Sequence, residues 1–199
     1  MQSFDFINNH SCYGNSATNF GYFFSYNYSL VKLPDALNTS QGTNFANFCR
    51  ECQVLVKFPD NLDTSKGTDF SSFANSCYSL TRLPDGLDTR RGTNFSFFCS
   101  GCYSLSELPD GVVVNNGTDF QYFLSYCRSL TKIPEGINTS NGTNFNYFCY
   151  YCTSLVSLPR SLDVSKGTYF GNFCQGAFQL KSLPDCLDLH NSRSHTSFC

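Results

Sequence analysis

Gly92-Thr-Asn-Phe-Ser-Phe-Phe-Cys-Ser-Gly-Cys-Tyr-Ser-Leu-Ser-Glu-Leu-Pro-Asp-Gly-Val-Val-Val-Asn-Asn116 is the stretch whose reading decides the fold. Its pattern, Gly-Thr-(Asn/Asp)-Phe-x-x-Phe-Cys-x-x-Cys-x-Ser-Leu-x-x-Leu-Pro, recurs along nearly the whole chain with a period of twenty-five residues. Phe20, Phe45, Phe70, Phe95, Phe120, Phe145 and Phe170 form one column, and Phe23, Phe48, Phe73, Phe98, Phe123, Phe148, Phe173 and Phe198 a second. Every proline falls in a third, from Pro34 to Pro184. A strict period in the twenties specifies a solenoid, whose coils bury their apolar faces only against their neighbours.

Within the unit, Phe95, Phe98, Cys99 and Cys102 lie at i, i+3, i+4 and i+7. That spacing predicts one apolar stripe on a short helix, with Thr93 or Asn94 capping its start. Leu105 and Leu108 follow as a short extended segment, ended by the Pro109-Asp110-Gly111 turn. Val112, and Leu37, Leu62, Leu87, Ile137, Leu162 and Leu187 in other coils, then point back into the core. The expected fold is an α/β repeat solenoid, leucine-rich-repeat-like, curved and right-handed. It has about eight coils, each with a short helix and a short strand. Residues 1–16 read as an imperfect N-terminal coil, 17–191 as seven repeats in one solenoid and 192–199 as an incomplete terminal coil.

Phe-x-x-Phe-Cys-x-x-Cys-x-Ser-Leu-x-x-Leu-Pro resembles the BspA-type leucine-rich repeat, especially the subtype of mycoplasma surface lipoproteins and bacterial adhesins. The resemblance runs over roughly residues 17–190. That subtype usually carries Met where Phe95 and Phe98 stand and Phe where Cys99 stands. The resemblance implies an extracellular or cell-surface location and a non-catalytic adhesive role.

The formal net charge is −2, with thirteen Lys and Arg against fifteen Asp and Glu. That balance shows no basic patch of nucleic-acid type and no strong pull on a cationic partner. No run of eighteen apolar residues offers a membrane span. The opening Met1-Gln-Ser-Phe-Asp-Phe-Ile-Asn-Asn-His10 lacks the charged-then-apolar order of a signal peptide.

Ten of the twelve cysteines, all but Cys12 and Cys186, fall in two repeat columns, which argues against a disulfide framework. Adjacent helices pack about 8–10 Å apart, whereas a disulfide needs Cα atoms within about 7 Å. Bridges along a column are therefore not expected, and the thiols read as small buried hydrophobes. Cys49, Cys52, Cys99 and Cys102 lie too far apart along the coils for one zinc site. No cofactor or metal site is expected.

A catalytic reading is weak, since His10, His190 and His195 all lie near the ends. Cys12 with His10, or Cys186 with His190 and Asp188, assemble a nucleophile and base only on paper. The columns Lys32, Lys57, Arg82, Lys132 and Asp35, Asp60, Asp85, Asp110 read as mutually neutralising surface charge. The broken Thr column (Thr39, Thr64, Thr89, Thr139, with Val114 and Val164) reads as turn chemistry rather than an ice-binding array. The remaining signal is aromatic. Tyr22, Tyr26, Phe97, Tyr122, Tyr126, Tyr147, Tyr150 and Tyr151 lie beside the core columns. They form either a contact surface for a protein or polysaccharide partner or packing between coils. The rival role is structural. Phe198 and Cys199 leave a coil unfinished that Phe4, Phe6 and Ile7 of another copy could complete, so that chains stack head to tail into a filament.

Overall fold

The computed structural model describes residues 16–199 except positions 186 and 195. It is a repeat solenoid with one sequence repeat per coil. Alternate backbone N–H groups leave their own coil altogether. Phe95, Phe97, Cys99 and Gly101 donate to the carbonyls of Asp119, Gln121, Phe123 and Ser125 in the next coil, at 2.7–3.0 Å. The N–H groups between them turn back only three residues: Phe98 to Phe95, Ser100 to Phe97 and Cys102 to Cys99, each 3.2 Å. The same alternation recurs from coil to coil.

This arrangement replaces the expected helix. Among the described residues there is no α-helix, and pairing is confined to isolated parallel bridges. Phe95–Cys102 is a pair of consecutive four-residue turns, each with its third residue at positive φ, Phe97 at 57° and Gly101 at 77°. Positive φ at the third position is the mark of a type II turn. Two such turns in tandem put positions i, i+3, i+4 and i+7 on the inside, as one face of a helix would. The spacing thus marks a buried stripe, built by turns and not by a helix. Asn94 correspondingly caps no helix: its Oδ1 accepts from the Ser96 N–H at 3.0 Å, closing an Asx turn. The expected strand has no counterpart at Leu105–Leu108, and in other coils the equivalent position makes only single bridges, such as Lys32 to Lys57 and Lys57 to Arg82.

Turns permit what helices would forbid. Helices keep neighbouring coils about 8–10 Å apart, while a hydrogen-bonded ladder holds them at about 4.8 Å. At the closer pitch the first Phe column becomes a continuous stack. Phe20 through Phe170 are wholly buried, with successive ring centroids 5.4–5.8 Å apart and planes within 9°. Phe48 through Phe198 stack alongside, 4.8–5.7 Å apart, whereas Phe23 in that column is 42% exposed. Gly92 opens the coil because a Cβ there would lie 2.4 Å from Cζ of Phe95 and 2.8 Å from Cδ2 of Phe70.

The pitch also corrects the cysteine geometry. Cys174 and Cys199, one coil apart, have Cα atoms 4.7 Å apart and form a disulfide, so a column is within bridging reach. Eight other described cysteines are free and buried. In the column Cys52, Cys77, Cys102, Cys127, Cys152, each Sγ–H donates to a carbonyl of the preceding coil at 3.0–3.2 Å. These side chains are thus small core fillers that also satisfy backbone acceptors. Thr39, Thr64, Thr89 and Thr139 do the same from the interior. Each is at most 2% exposed and donates Oγ1 to the next coil at 2.6–2.8 Å. Val114 and Val164 fill the same column as buried isosteres, so no hydroxyl array faces solvent there.

Phe95→Ala is expected to cost about 3–5 kcal/mol by chemical denaturation, and Gly92→Ala about 1–3 kcal/mol through the displaced ring.

Burial pushes the Cys49, Cys77, Cys99 and Cys127 thiols well above their ordinary 9.0 and that of Cys152 up to about 12. Above pH 9 the unfolded chain loses thiol protons that the folded chain keeps, so folding stability falls as pH rises from 9 toward 12. Melting of the protein is expected to move to lower temperature across that window. Denatured, unreduced chain should react with at least eight equivalents of thiol reagent, and native chain only slowly. A count near zero in denaturant would contradict the buried-thiol core.

Candidate aromatic contact face

The residues at positive φ form two corner columns on one side of the solenoid. Asn and Gly adopt this conformation readily, and other side chains pay a steric penalty of roughly 1–2 kcal/mol. Yet Tyr22, Tyr26, Phe97, Tyr122, Tyr126, Tyr147 and Tyr151 all occupy such corners. Elsewhere the same columns carry Asn47, Ser72, Ser76, Gly101, Asn172, Gly176 and Ser197, which suit a corner or add little bulk, and once the long polar side chain of Glu51. Local backbone preference does not explain the aromatics, and the core does not need them.

The structure brings six of the eight sequence-predicted residues into one network. Phe97, Tyr122 and Tyr147 stack face to face along their column, with centroids 4.5 and 4.3 Å apart and planes within 10°. Tyr150 meets Tyr147 edge-on at 5.2 Å and Tyr126 at 5.3 Å. Tyr151 stacks on Tyr126 at 5.6 Å. These six are half-buried, each shielded by its neighbours. Tyr22 and Tyr26 stand apart in the first complete coil, 60% and 48% exposed.

Sequence reasoning missed four members. Tyr78 and Tyr103 stack at 4.6 Å, and the Arg128 guanidinium lies 4.5 Å over Tyr103 and 5.9 Å from Tyr126, tying the second stack to the first. Phe178, 73% exposed, reaches Tyr151 at 6.0 Å. Their shared position in the repeat, two residues after the second corner, was the available signal. Burial, then the neighbouring Tyr147 phenol, raises the pKa of Tyr122. Burial and Tyr126 likewise raise that of Tyr150. Both therefore stay protonated near neutrality, as hydroxyl donors along the edge of the stack.

The charged columns are paired in part. Lys32 pairs with Asp35 at 3.3 Å, and Arg82 lies 3.8 Å from Asp60 and 3.9 Å from Asp85, all on exposed side chains, where such pairs contribute little. Of the end-to-end residues, Phe4, Phe6 and Ile7 lie outside the described residues. Phe198 is half-buried, stacked 4.8 Å from Phe173, and Cys199 is bonded to Cys174. Of the paired catalytic candidates, His10, Cys12 and Cys186 also fall outside the described residues, as does His195. His190 is held by Asp188 at 2.7 Å on the surface. Among the described residues no cluster of three or more His, Cys, Asp or Glu is placed to hold a metal, and no helix is long and apolar enough to cross a membrane.

A scan against protein-family models finds no match, nor does a search of curated proteins. Among solved structures the chain is similar to a leucine-rich repeat protein from Bacteroides ovatus, with 16% identity and a TM-score of 0.40. The likeness covers 84% of this chain and 50% of that one, so the chain spans about half that protein's length.

Because Tyr22 combines a strained corner with high exposure, Tyr22→Asn is expected to preserve stability or raise it by up to about 1 kcal/mol, read as the midpoint of chemical denaturation.

Proposed function

We propose that this chain is a non-catalytic binding solenoid of the leucine-rich-repeat type that works at the cell surface. Its aromatic face is the contact surface for an extended partner, a polysaccharide or a protein. The observation that carries the reading is the placement of aromatic side chains on corners whose backbone disfavours them. Strained positions mark places where something other than folding selects the residue. A solenoid repeats each position at a fixed pitch, so the face offers a regular rank of ring edges and phenol hydroxyls to a partner with its own repeat. Tyrosine suits this role, since its ring supplies apolar area and its hydroxyl a hydrogen bond. The resemblance to adhesin repeats points the same way.

The test is adhesion of the purified chain to immobilised polysaccharides and to surface proteins, beside the triple variant Tyr122→Ser, Tyr126→Ser, Tyr147→Ser. The variant is expected to melt within a few degrees of the parent and to lose at least tenfold in affinity, about 1.4 kcal/mol. Undiminished binding by a folded variant would sink the reading, as would a parent chain that adheres to nothing on the panel.

A further inference from the structure

Phe97 is the end of a stack. One face of its ring is covered by Tyr122. One coil back, the same corner column carries Ser72, which has no ring to cover the other face. A cavity of about 300 Å³ opens there, at the small end of the range of ligand pockets. Ser72, Asn75, Phe97, Ser100, Tyr122 and Tyr126 line it together with Arg50, which lies two coils from Phe97.

Arg50 is held in place without being satisfied. Its guanidinium rests 5.7 Å from the Tyr26 ring, and Nη1 makes one long contact, 3.4 Å, to Oδ1 of Asn47. The Nε atom is buried with no hydrogen-bond partner. The adjacent carboxylate, Glu51, accepts instead from Gln53 Nε2 at 3.2 Å, and among the described residues Arg50 forms no ion pair. Buried polar groups are ordinarily paired. With Nε turned into the wall, it is the Nη end of the guanidinium, met only by that one long contact, that offers a carboxylate its charge and N–H groups.

We propose that this notch is a subsite for an acidic sugar, a pyranose ring bearing a carboxylate, within a longer glycan. This rests on the aromatic face being a binding surface and names the ligand for one end of it. The C–H face of the sugar lies on the open face of Phe97. Its carboxylate meets Arg50, and its hydroxyls reach Ser72. Each partner supplies something the notch leaves unmet: an apolar face, an anion and hydroxyls close together. The rest of the glycan runs along the Tyr122 and Tyr147 edges.

The test is calorimetric titration with a tri-uronide and with its methyl ester, which has the same shape without the charge. An acidic peptide serves as the third probe. Parent protein is expected to bind the tri-uronide at least tenfold more tightly than the ester. Arg50→Gln should abolish that preference and leave ester binding within twofold. Phe97→Asn, compatible with the corner backbone, should weaken both, and melting curves should show all three proteins folded. Equal affinity for acid and ester, an unaffected Arg50→Gln, or capture of the acidic peptide alone would each overturn the subsite. If the ester still binds and the triple tyrosine variant still loses it, the aromatic face survives that result. If none of the probes binds, the notch falls, and a panel likewise empty removes the broader reading too.

Discussion

The pitch of the coil is the constraint on which everything else depends. Once alternate N–H groups bond to the next coil, neighbouring chain segments sit at ladder distance, and every column must tolerate a copy of itself about 4.8 Å away. Phenylalanine rings tolerate it by lying parallel and offset, as Phe45, Phe70 and Phe95 do. Glycine at position 92 lets a ring pass over the backbone. Cysteine and threonine fit because each is small and carries a donor for a carbonyl one coil away. The composition of the core, rich in Phe, Cys and buried Thr, follows from these requirements.

The outside obeys the same rule with different results. Like charges stacked at this pitch would repel, and the Lys32 and Arg82 column is offset by carboxylates beside it. Aromatic rings stacked at this pitch attract, so Phe97, Tyr122 and Tyr147 cover one another's faces. The tyrosine faces are consumed within the stack, and what remains for a partner is hydroxyls and edges, with an open face only at the ends. This is why the termination of the stack at Ser72 matters more for recognition than its middle.

The repeat, the buried columns and the aromatic positions were legible because each depends only on counting residues. Phe20 through Phe170 were identified as core, and they are wholly buried. The helix was not legible as false, because Phe95, Phe98, Cys99 and Cys102 face inward in tandem type II turns as they would on a helix. That one misreading carried the cysteine error with it, since a helical spacing of coils would have kept Cys174 and Cys199 apart, whereas their Cα atoms are 4.7 Å apart. At the aromatic face the column of Phe97, Tyr122 and Tyr147 could be counted. The partnership of Arg128 with Tyr103, and the isolation of Arg50, depend on how corner side chains lean across columns, and sequence spacing holds no record of that.

Because coils are interchangeable in the core, the distance between two surface features is quantised. Removing one whole repeat between Arg50 and Phe97 would rejoin every ladder and every Phe stack. The cation would then stand a single rung from the ring. Adding one would widen the gap by the same step. Unequal crossover between near-identical repeats makes such changes in one genetic event, without passing through a misfolded intermediate sequence. A chain built this way can retune the length of what it grips by counting coils, where most folds must redesign a pocket wall residue by residue.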